Sequence, residues 1–331
     1  MTATGATQPP LSDAQGRRIT YLRLSLTDRC NFRCSYCNPH GLGWSGGTPL
    51  TRPEIRQLAT AFARIGVRRV RLTGGEPTLR RDLPDVVGDL LAVHGIEEVA
   101  LTTNGQLLEE QAARLREVGL ARLNVSLDTL DPDRMARLAG PAADLERIRR
   151  GFAAAARAGF ASLKLNAVVL RGENEAELGD LARFAWRHGA VARFIELMPF
   201  GGGVAVPVPE MERLLASQGI HLEPDATRGW GPARHMRGSG VDGDRPVSGL
   251  VGFIGAFSEN FCADCNRVRV AADGTLRACL GGREEVALGE VLRAGASLED
   301  LEARIREAVS RKSERHDLGA GPLPPMVAVG G

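Results

Sequence analysis

The chain of 331 residues contains no long apolar segment. No run approaches the roughly 20 apolar residues that a membrane-spanning helix needs, and residues 1–18 do not follow the basic and then apolar order of a secretory signal. We therefore expect a cytoplasmic protein with no membrane partner. The hydrophobic content of 43% is sufficient for one large domain and a smaller one, and it argues against disorder.

Net charge, aromatic residues and lysine are also scarce. A net charge of +2 and an aromatic content of 5% argue against a nucleic-acid partner, because such proteins combine a strong positive charge with aromatic residues that stack on bases. Only two lysines, Lys164 and Lys312, occur among the 42 basic residues. Lys164 lies in an apolar segment, where a compact ammonium group suggests a contact with a phosphate.

The cysteines fall into two groups of three, and none is left over. The first trio is Cys30, Cys34 and Cys37, and the second trio is Cys262, Cys265 and Cys279; a secreted disulfide framework would scatter its cysteines more widely. Three thiolates close together in a loop suit a soft metal centre. Because a structural zinc site uses four ligands, a trio leaves one position open to a cosubstrate. The alternative is that these are ordinary buried cysteines.

Strand-like and helix-like segments alternate from residue 19 to about residue 200. The predicted strands cover 19–26, 67–73, 97–103, 120–127, 162–170 and 191–197. Helical periods lie between them, for example 53–65, 109–118, 144–158 and 173–187. Six strand–helix units predict an α/β fold with a parallel sheet, curled into an incomplete (βα)6 barrel of the TIM type. We expect a mobile N-terminal arm at 1–17, the partial barrel at 18–210 and a smaller α+β domain at 211–331.

Polar segments follow the predicted strands, and the carboxyl ends of parallel strands build the site in such barrels. The segment Gly74-Gly75-Glu76-Pro77 follows the second strand. Its glycines allow a close backbone approach to a ligand, and the Glu76 carboxylate suits an ammonium group. A tight turn is the alternative explanation for the glycines.

The first trio, spaced C-x-x-x-C-x-x-C with Tyr36 before its last cysteine, and the Gly-Gly-Glu-Pro segment resemble the radical S-adenosylmethionine (SAM) enzymes. The resemblance implies that Cys30, Cys34 and Cys37 hold a 4Fe-4S cluster and that SAM chelates the open iron. An electron from the cluster then cleaves SAM to a 5′-deoxyadenosyl radical. The residues that the resemblance assigns to SAM are Tyr36, Gly75, Glu76, Ser126 and Met198.

The second trio alone could be part of a zinc site, with His235 as a fourth ligand. Its surroundings, F-C-A-D-C-N-R-V-R at 261–269 and D-G-T-L at 273–276, resemble the C-terminal region of the GTP 3′,8-cyclase family. The resemblance implies a second 4Fe-4S cluster on Cys262, Cys265 and Cys279, with its open iron facing the guanine of GTP. Arg267 and Arg269 alternate along a predicted strand and so point to one face. The residues that the resemblance assigns to GTP are Arg23, Arg71, Thr102, Lys164, Arg267, Val268 and Arg269.

The resemblance also implies an activity, a lyase reaction that cyclises GTP to (8S)-3′,8-cyclo-7,8-dihydroguanosine 5′-triphosphate at the start of molybdenum cofactor biosynthesis. The implied catalytic residues are Cys30, Cys34, Cys37, Arg267 and Arg269. The implied partners are a reductant such as flavodoxin or ferredoxin and a downstream cyclic pyranopterin monophosphate synthase, and a homodimer is compatible with the sequence. The terminal Gly330-Gly331 is either a frayed end or, as in that family, a tail that returns to the site. Two rival hypotheses are a peptide-modifying radical enzyme and a nucleic-acid-binding module with structural zinc.

Overall fold

A computed structural model describes residues 9–39, 47–227, 229, 231–319 and 324–329. The two terminal glycines were expected either to be a frayed end or to return to the site, and they lie outside these residues. The start of the predicted arm also lies outside them. No helix in the described ranges is long and apolar enough to cross a membrane.

The first two thirds of the chain alternate strands and helices, which confirms the predicted α/β class. The elements are β1 (Tyr21–Ser25), α1 (Arg52–Arg64), β2 (Arg69–Thr73), α2 (Leu83–Leu91), β3 (Glu98–Thr103), α3 (Leu108–Glu117), β4 (Arg122–Ser126), α4 (Pro132–Ala139), α5 (Leu145–Ala158), β5 (Ser162–Val169), α6 (Leu178–Arg187) and β6 (Val191–Glu196). Strands β1 to β6 pair in chain order, and every pair is parallel.

Local signals explain why the helices begin where they do. At the start of α1, Glu54 N–H donates to the Thr51 hydroxyl and the Glu54 carboxylate accepts from Thr51 N–H at 2.7 Å. Such a reciprocal cap stabilises a helix by about 1 kcal/mol. Helix α6 begins five residues later than predicted, because the preceding Asn174 side chain is fully buried and bonds to Leu170 N–H and to two carbonyls.

The remaining strands extend the same sheet, and three helices accompany them. They are α7 (Val208–Ser217), β7 (His221–Pro224), β8 (Arg234–Asp242), β9 (Arg245–Ile254), β10 (Arg267–Val270), β11 (Thr275–Arg277), β12 (Val286–Ala287), α8 (Leu288–Arg293) and α9 (Leu298–Ser310). Strand β9 pairs parallel with β6, and β10 pairs parallel with β1. The order of the twelve strands is therefore β12-β11-β10-β1-β2-β3-β4-β5-β6-β9-β8-β7. The C-terminal elements cover both edges of the six-stranded core, and a domain boundary near residue 210 stays a prediction.

The described part of the predicted mobile arm is packed against the body of the protein. Leu11 is buried, and its N–H donates to the Ile65 carbonyl. Arg17 pairs with buried Asp13 at 2.6 Å and also donates to the Cys262 carbonyl at 2.7 Å. Residues 9–17 are therefore tied to the body by hydrogen bonds and an ion pair, and mobility of the arm stays a prediction.

Candidate active site

One cavity gathers nearly all the residues that the sequence nominates. Its walls come from the inner faces of β1 to β6 and β10, so the sheet curves around it. The nominated residues that line it are Cys30, Cys34, Tyr36, Cys37, Gly75, Glu76, Ser126, Met198, Arg23, Arg71, Thr102, Lys164, Arg267, Arg269, Cys262, Cys265 and Cys279. Val268 does not line the cavity, because its side chain points from the opposite face of β10 into the core. Only its backbone could meet a ligand there.

The first trio lies in the loop after β1, and its three thiols are free. Burial raises the pKa of Cys30 to about 11, that of Cys37 to about 12, and that of Cys34 well above the usual value. A thiolate in this loop therefore needs a compensating cation, and the iron of a cluster would provide one. The donor set, three soft ligands with no fourth cysteine beside them in the sequence, fits a cluster with an open position.

The C-terminus of α4 holds this loop in place. Arg33 N–H donates to the Ala139 carbonyl at 2.8 Å, and Ser35 N–H donates to the Leu138 carbonyl at 3.0 Å. These carbonyls belong to the last turn of α4 and have no acceptor role inside the helix. These two hydrogen bonds tie the loop backbone to the end of α4.

The described end of the chain also returns to the first trio. Met326 lines the cavity, and Val327 N–H donates to the Cys37 sulfur, which lowers the pKa of that thiol against the larger effect of burial. Val329 packs with Phe200 and Leu318 beside Met198. The residue before the terminal glycines is therefore buried in a small cluster that includes Met198, Leu318 and Met326, three residues that line the cavity.

The Gly-Gly-Glu-Pro segment lines the cavity and is hydrogen-bonded to neighbouring loops. The Glu76 carboxylate is buried and accepts four hydrogen bonds, from Thr78 N–H, the Thr78 hydroxyl, the Thr103 hydroxyl and Asn104 N–H, at 2.6 to 2.9 Å. It therefore braces two loops, with three of the four bonds on Oε1 and one on Oε2, and the assignment of Glu76 to SAM stays a prediction. A Cβ on Gly75 would lie 2.2 Å from the Arg29 carbonyl oxygen, so this glycine is needed for close packing against the cysteine loop.

Tyr36 is similarly engaged with the protein. Its hydroxyl donates to Asp128 Oδ2 at 2.5 Å, and Asp128 Oδ1 accepts from Val168 N–H at 2.8 Å. Burial raises the pKa of Asp128 to about 6. The pair ties the cysteine loop to the ends of β4 and β5.

Three arginines form a row across the cavity wall. Arg269 on β10, Arg23 on β1 and Arg71 on β2 are direct partners in the strand register, and adjacent strands lie about 4.8 Å apart. Like charges directly opposite one another are destabilising. Burial and the neighbouring arginines lower the pKa of Arg23 well below its usual value and that of Arg269 to about 10. Such a row favours an anionic ligand.

Two further cations stand on β5 and β6. Burial, together with Arg193 and Arg71, lowers the pKa of Lys164 to about 7. Arg193 lines the same cavity, and burial lowers its pKa to about 10. Sequence reasoning missed Arg193, although an arginine inside the apolar strand V-A-R-F-I is itself an unusual signal.

The second trio belongs to the loops around β10 and β11. Burial raises the pKa of Cys265, but Arg267 and Lys312 outweigh it and bring the pKa to about 7. His235 lies on β8 with its ring against the Thr227 carbonyl, and it does not line the cavity with the cysteines. Within the described ranges, no three His, Cys, Asp or Glu side chains are close enough to hold a single metal ion.

Comparisons with known proteins agree with this arrangement. The model of the radical SAM superfamily matches residues 24–185, and the model named Molybdenum Cofactor Synthesis C matches residues 190–318. Among solved structures, Streptococcus suis SuiB bound to S-adenosylmethionine has a TM-score of 0.59 at 14% identity, over 87% of this chain and 68% of that one. At this identity the likeness concerns the fold alone.

Relatives in sequence extend over almost the whole chain. The GTP 3′,8-cyclase of Heliobacterium modesticaldum is 42% identical over 333 residues, which cover 96% of this chain and 99% of the relative. The GTP 3′,8-cyclase of Aeromonas hydrophila is 41% identical, with 97% and 96% covered. On this identity and coverage, the chain belongs to the GTP 3′,8-cyclase family.

Proposed function

We propose that this protein is a radical SAM lyase that cyclises GTP to (8S)-3′,8-cyclo-7,8-dihydroguanosine 5′-triphosphate, the first step of molybdenum cofactor biosynthesis. The observation that carries the proposal is the single cavity that both cysteine trios and the row of arginines line. A radical generator and an anion-binding wall facing one space can bring the radical and its substrate together.

Each trio would hold one 4Fe-4S cluster, with Cys30, Cys34 and Cys37 on the first and Cys262, Cys265 and Cys279 on the second. When bound, the first cluster and SAM supply a deoxyadenosyl radical that removes the 3′ hydrogen of GTP. We assign the contact with the SAM ammonium to the backbone of Gly75 and to Glu76 Oε2, which accepts a hydrogen bond from Asn104 N–H. Tyr36, Ser126 and Met198 complete the proposed SAM site.

GTP would occupy the part of the cavity lined by the cations. Arg23, Arg71 and Arg269 present guanidinium groups suited to phosphate oxygens, and Lys164 adds a point charge. The carboxylates that line the cavity do not neutralise this wall, since each is already engaged. Glu98 pairs with Arg122, and Glu196 accepts from Phe257 and Ser258 N–H.

The second trio and the neighbouring Arg267 would orient the guanine, so that C8 faces the ribose. We include the hydroxyl of Thr102 and the backbone of Val268 in this substrate site. The curved sheet surrounds the reacting atoms and limits access of water and oxygen.

We further propose a cytoplasmic enzyme that receives its electron from a carrier such as flavodoxin or ferredoxin. Its product would pass to a cyclic pyranopterin monophosphate synthase. A homodimer is compatible with this scheme.

The decisive experiment is anaerobic reconstitution, an iron count, and incubation with SAM, dithionite and GTP followed by mass spectrometry. We expect about eight irons per chain, deoxyadenosine, and an isomer of GTP that is absent when ATP replaces GTP. Cys34→Ser and Cys265→Ser should each lose about half of the iron and all of the product. Deoxyadenosine without any change in GTP would refute the substrate, and a zinc protein without iron would refute the chemistry.

A further inference from the structure

The chain contains only two lysines, and both line the cavity. All other Lys or Arg positions are arginine. Within the described ranges, arginine is the cation of every ion pair. The two compact ammonium groups of the chain thus lie at the cavity, Lys312 buried and Lys164 partly buried. The mechanism above uses Lys164 and leaves Lys312 without a role.

Lys312 follows α9, and only 4% of its surface is exposed. Its Nζ donates to the Arg267 carbonyl at 3.0 Å and to the Ala278 carbonyl. Arg267 is two residues after Cys265, and Ala278 directly precedes Cys279. One ammonium group therefore joins the two segments that carry two cysteines of the second trio.

The charge of Lys312 lacks a carboxylate partner in the described part of the chain. The cavity carboxylates are held by other donors, and no ion pair to Lys312 is formed. Two carbonyls satisfy two of its three N–H donors, but carbonyl dipoles do not cancel a full charge. Buried cations are normally paired with an anion.

The second trio is a source of negative charge close to Lys312. Cys265 and Cys279 line the same wall of the cavity as Lys312, and Lys312 is among the groups that favour the Cys265 thiolate. Three thiolates around an iron–sulfur cube leave the assembly negatively charged. The charge and hydrogen bonds around a cluster set its reduction potential.

We propose that Lys312 is a positioning residue of the second cluster, whose ammonium group compensates the charge of the cluster and raises its reduction potential. This inference rests on the proposed function, because it requires the second trio to hold a cluster. A guanidinium group is planar and larger, and it would not fit between the two carbonyls in the same way.

The test uses a parent variant with Cys30→Ala, Cys34→Ala and Cys37→Ala, so that only the second cluster forms. Lys312→Met and Lys312→Arg are made in this parent, and the midpoint potential is measured by a redox titration followed by electron paramagnetic resonance. The matched control is Arg311→Met, which removes the adjacent cation, an exposed side chain paired with Glu307.

We expect Lys312→Met to shift the midpoint potential to a lower value, Lys312→Arg to shift it less, and Arg311→Met to leave it unchanged. Equal potentials in the parent and Lys312→Met, with equal iron, would overturn the inference. If Lys312→Met retains no iron, Lys312→Arg decides: a cluster near the parent potential supports the charge role, and loss of iron in both variants reduces Lys312 to a structural clamp. A parent that binds no second cluster would instead refute the proposed function.

Discussion

Binding of GTP should depend on pH through Lys164. The ordinary lysine pKa of 10.5 falls to about 7 because the side chain is partly buried and lies beside Arg193 and Arg71. At about 1.4 kcal/mol for each pH unit, the cavity disfavours the ammonium form by about 5 kcal/mol before the ligand binds. A triphosphate favours that form and would raise the pKa again.

The sign of the effect follows from the charge. Below about pH 7 most molecules carry the ammonium group, and above it the group is lost, so affinity for GTP should fall as the pH rises. At pH 8 about one tenth of the free protein is protonated, which weakens apparent binding about tenfold, and at pH 9 the loss approaches about a hundredfold. The affinity stops falling at the pH that equals the pKa of Lys164 in the complex with GTP.

Equilibrium dialysis with GTP, under anaerobic conditions and without reductant, measures this from pH 6 to pH 9. Lys164→Arg is the control, because arginine keeps its charge over this range. Ionisation of GTP itself affects the measurements on both proteins equally. Lys164→Met should bind GTP weakly at every pH in this range. Identical pH profiles for the wild type and Lys164→Arg would refute the reasoning, as would wild-type affinity in Lys164→Met at pH 6.

Three other substitutions separate the parts of the site. Gly75→Ala should displace the cysteine loop, because its Cβ would lie 2.2 Å from the Arg29 carbonyl oxygen; we expect loss of about half the iron, and a full iron count would contradict this. Glu76→Gln places an amide N–H₂ among donors such as Asn104 N–H, so the free energy of unfolding of the apoprotein should fall by about 1–3 kcal/mol, measured by urea denaturation, whereas an unchanged midpoint would mean that the carboxylate is not braced. Arg193→Met should weaken GTP binding about 10- to 100-fold in the same dialysis assay, with SAM binding unaffected as its control.

The sequence was sufficient to predict the strands and to predict that the site residues lie close together. The fifth strand, predicted at 162–170, is observed at Ser162–Val169, because an alternating apolar run needs a sheet to bury its face. Helix α4, which Asp131 caps and a proline opens, was not among the named helical periods, since eight residues give too few periods for a pattern.

The direction of individual side chains could not be predicted. The partners that turn Glu76 inward, Thr103 and Asn104, lie 27 and 28 residues further along the chain. Lys312 finds its carbonyls 34 and 45 residues away. Such orientations depend on how the loops that follow different strands pack against one another. No local sequence pattern predicts that packing.

The pairing of β1 with β10 also has a consequence for synthesis on the ribosome. Strand β1 ends at Ser25, whereas its outer neighbour begins at Arg267, so the edge of β1 has no strand to pair with until roughly 240 residues later. At about 5–20 residues per second, this edge is open for roughly 12 to 50 s. Unpaired strand edges promote association between chains. We therefore expect a chaperone that shields nascent strands to increase the soluble yield of the full chain.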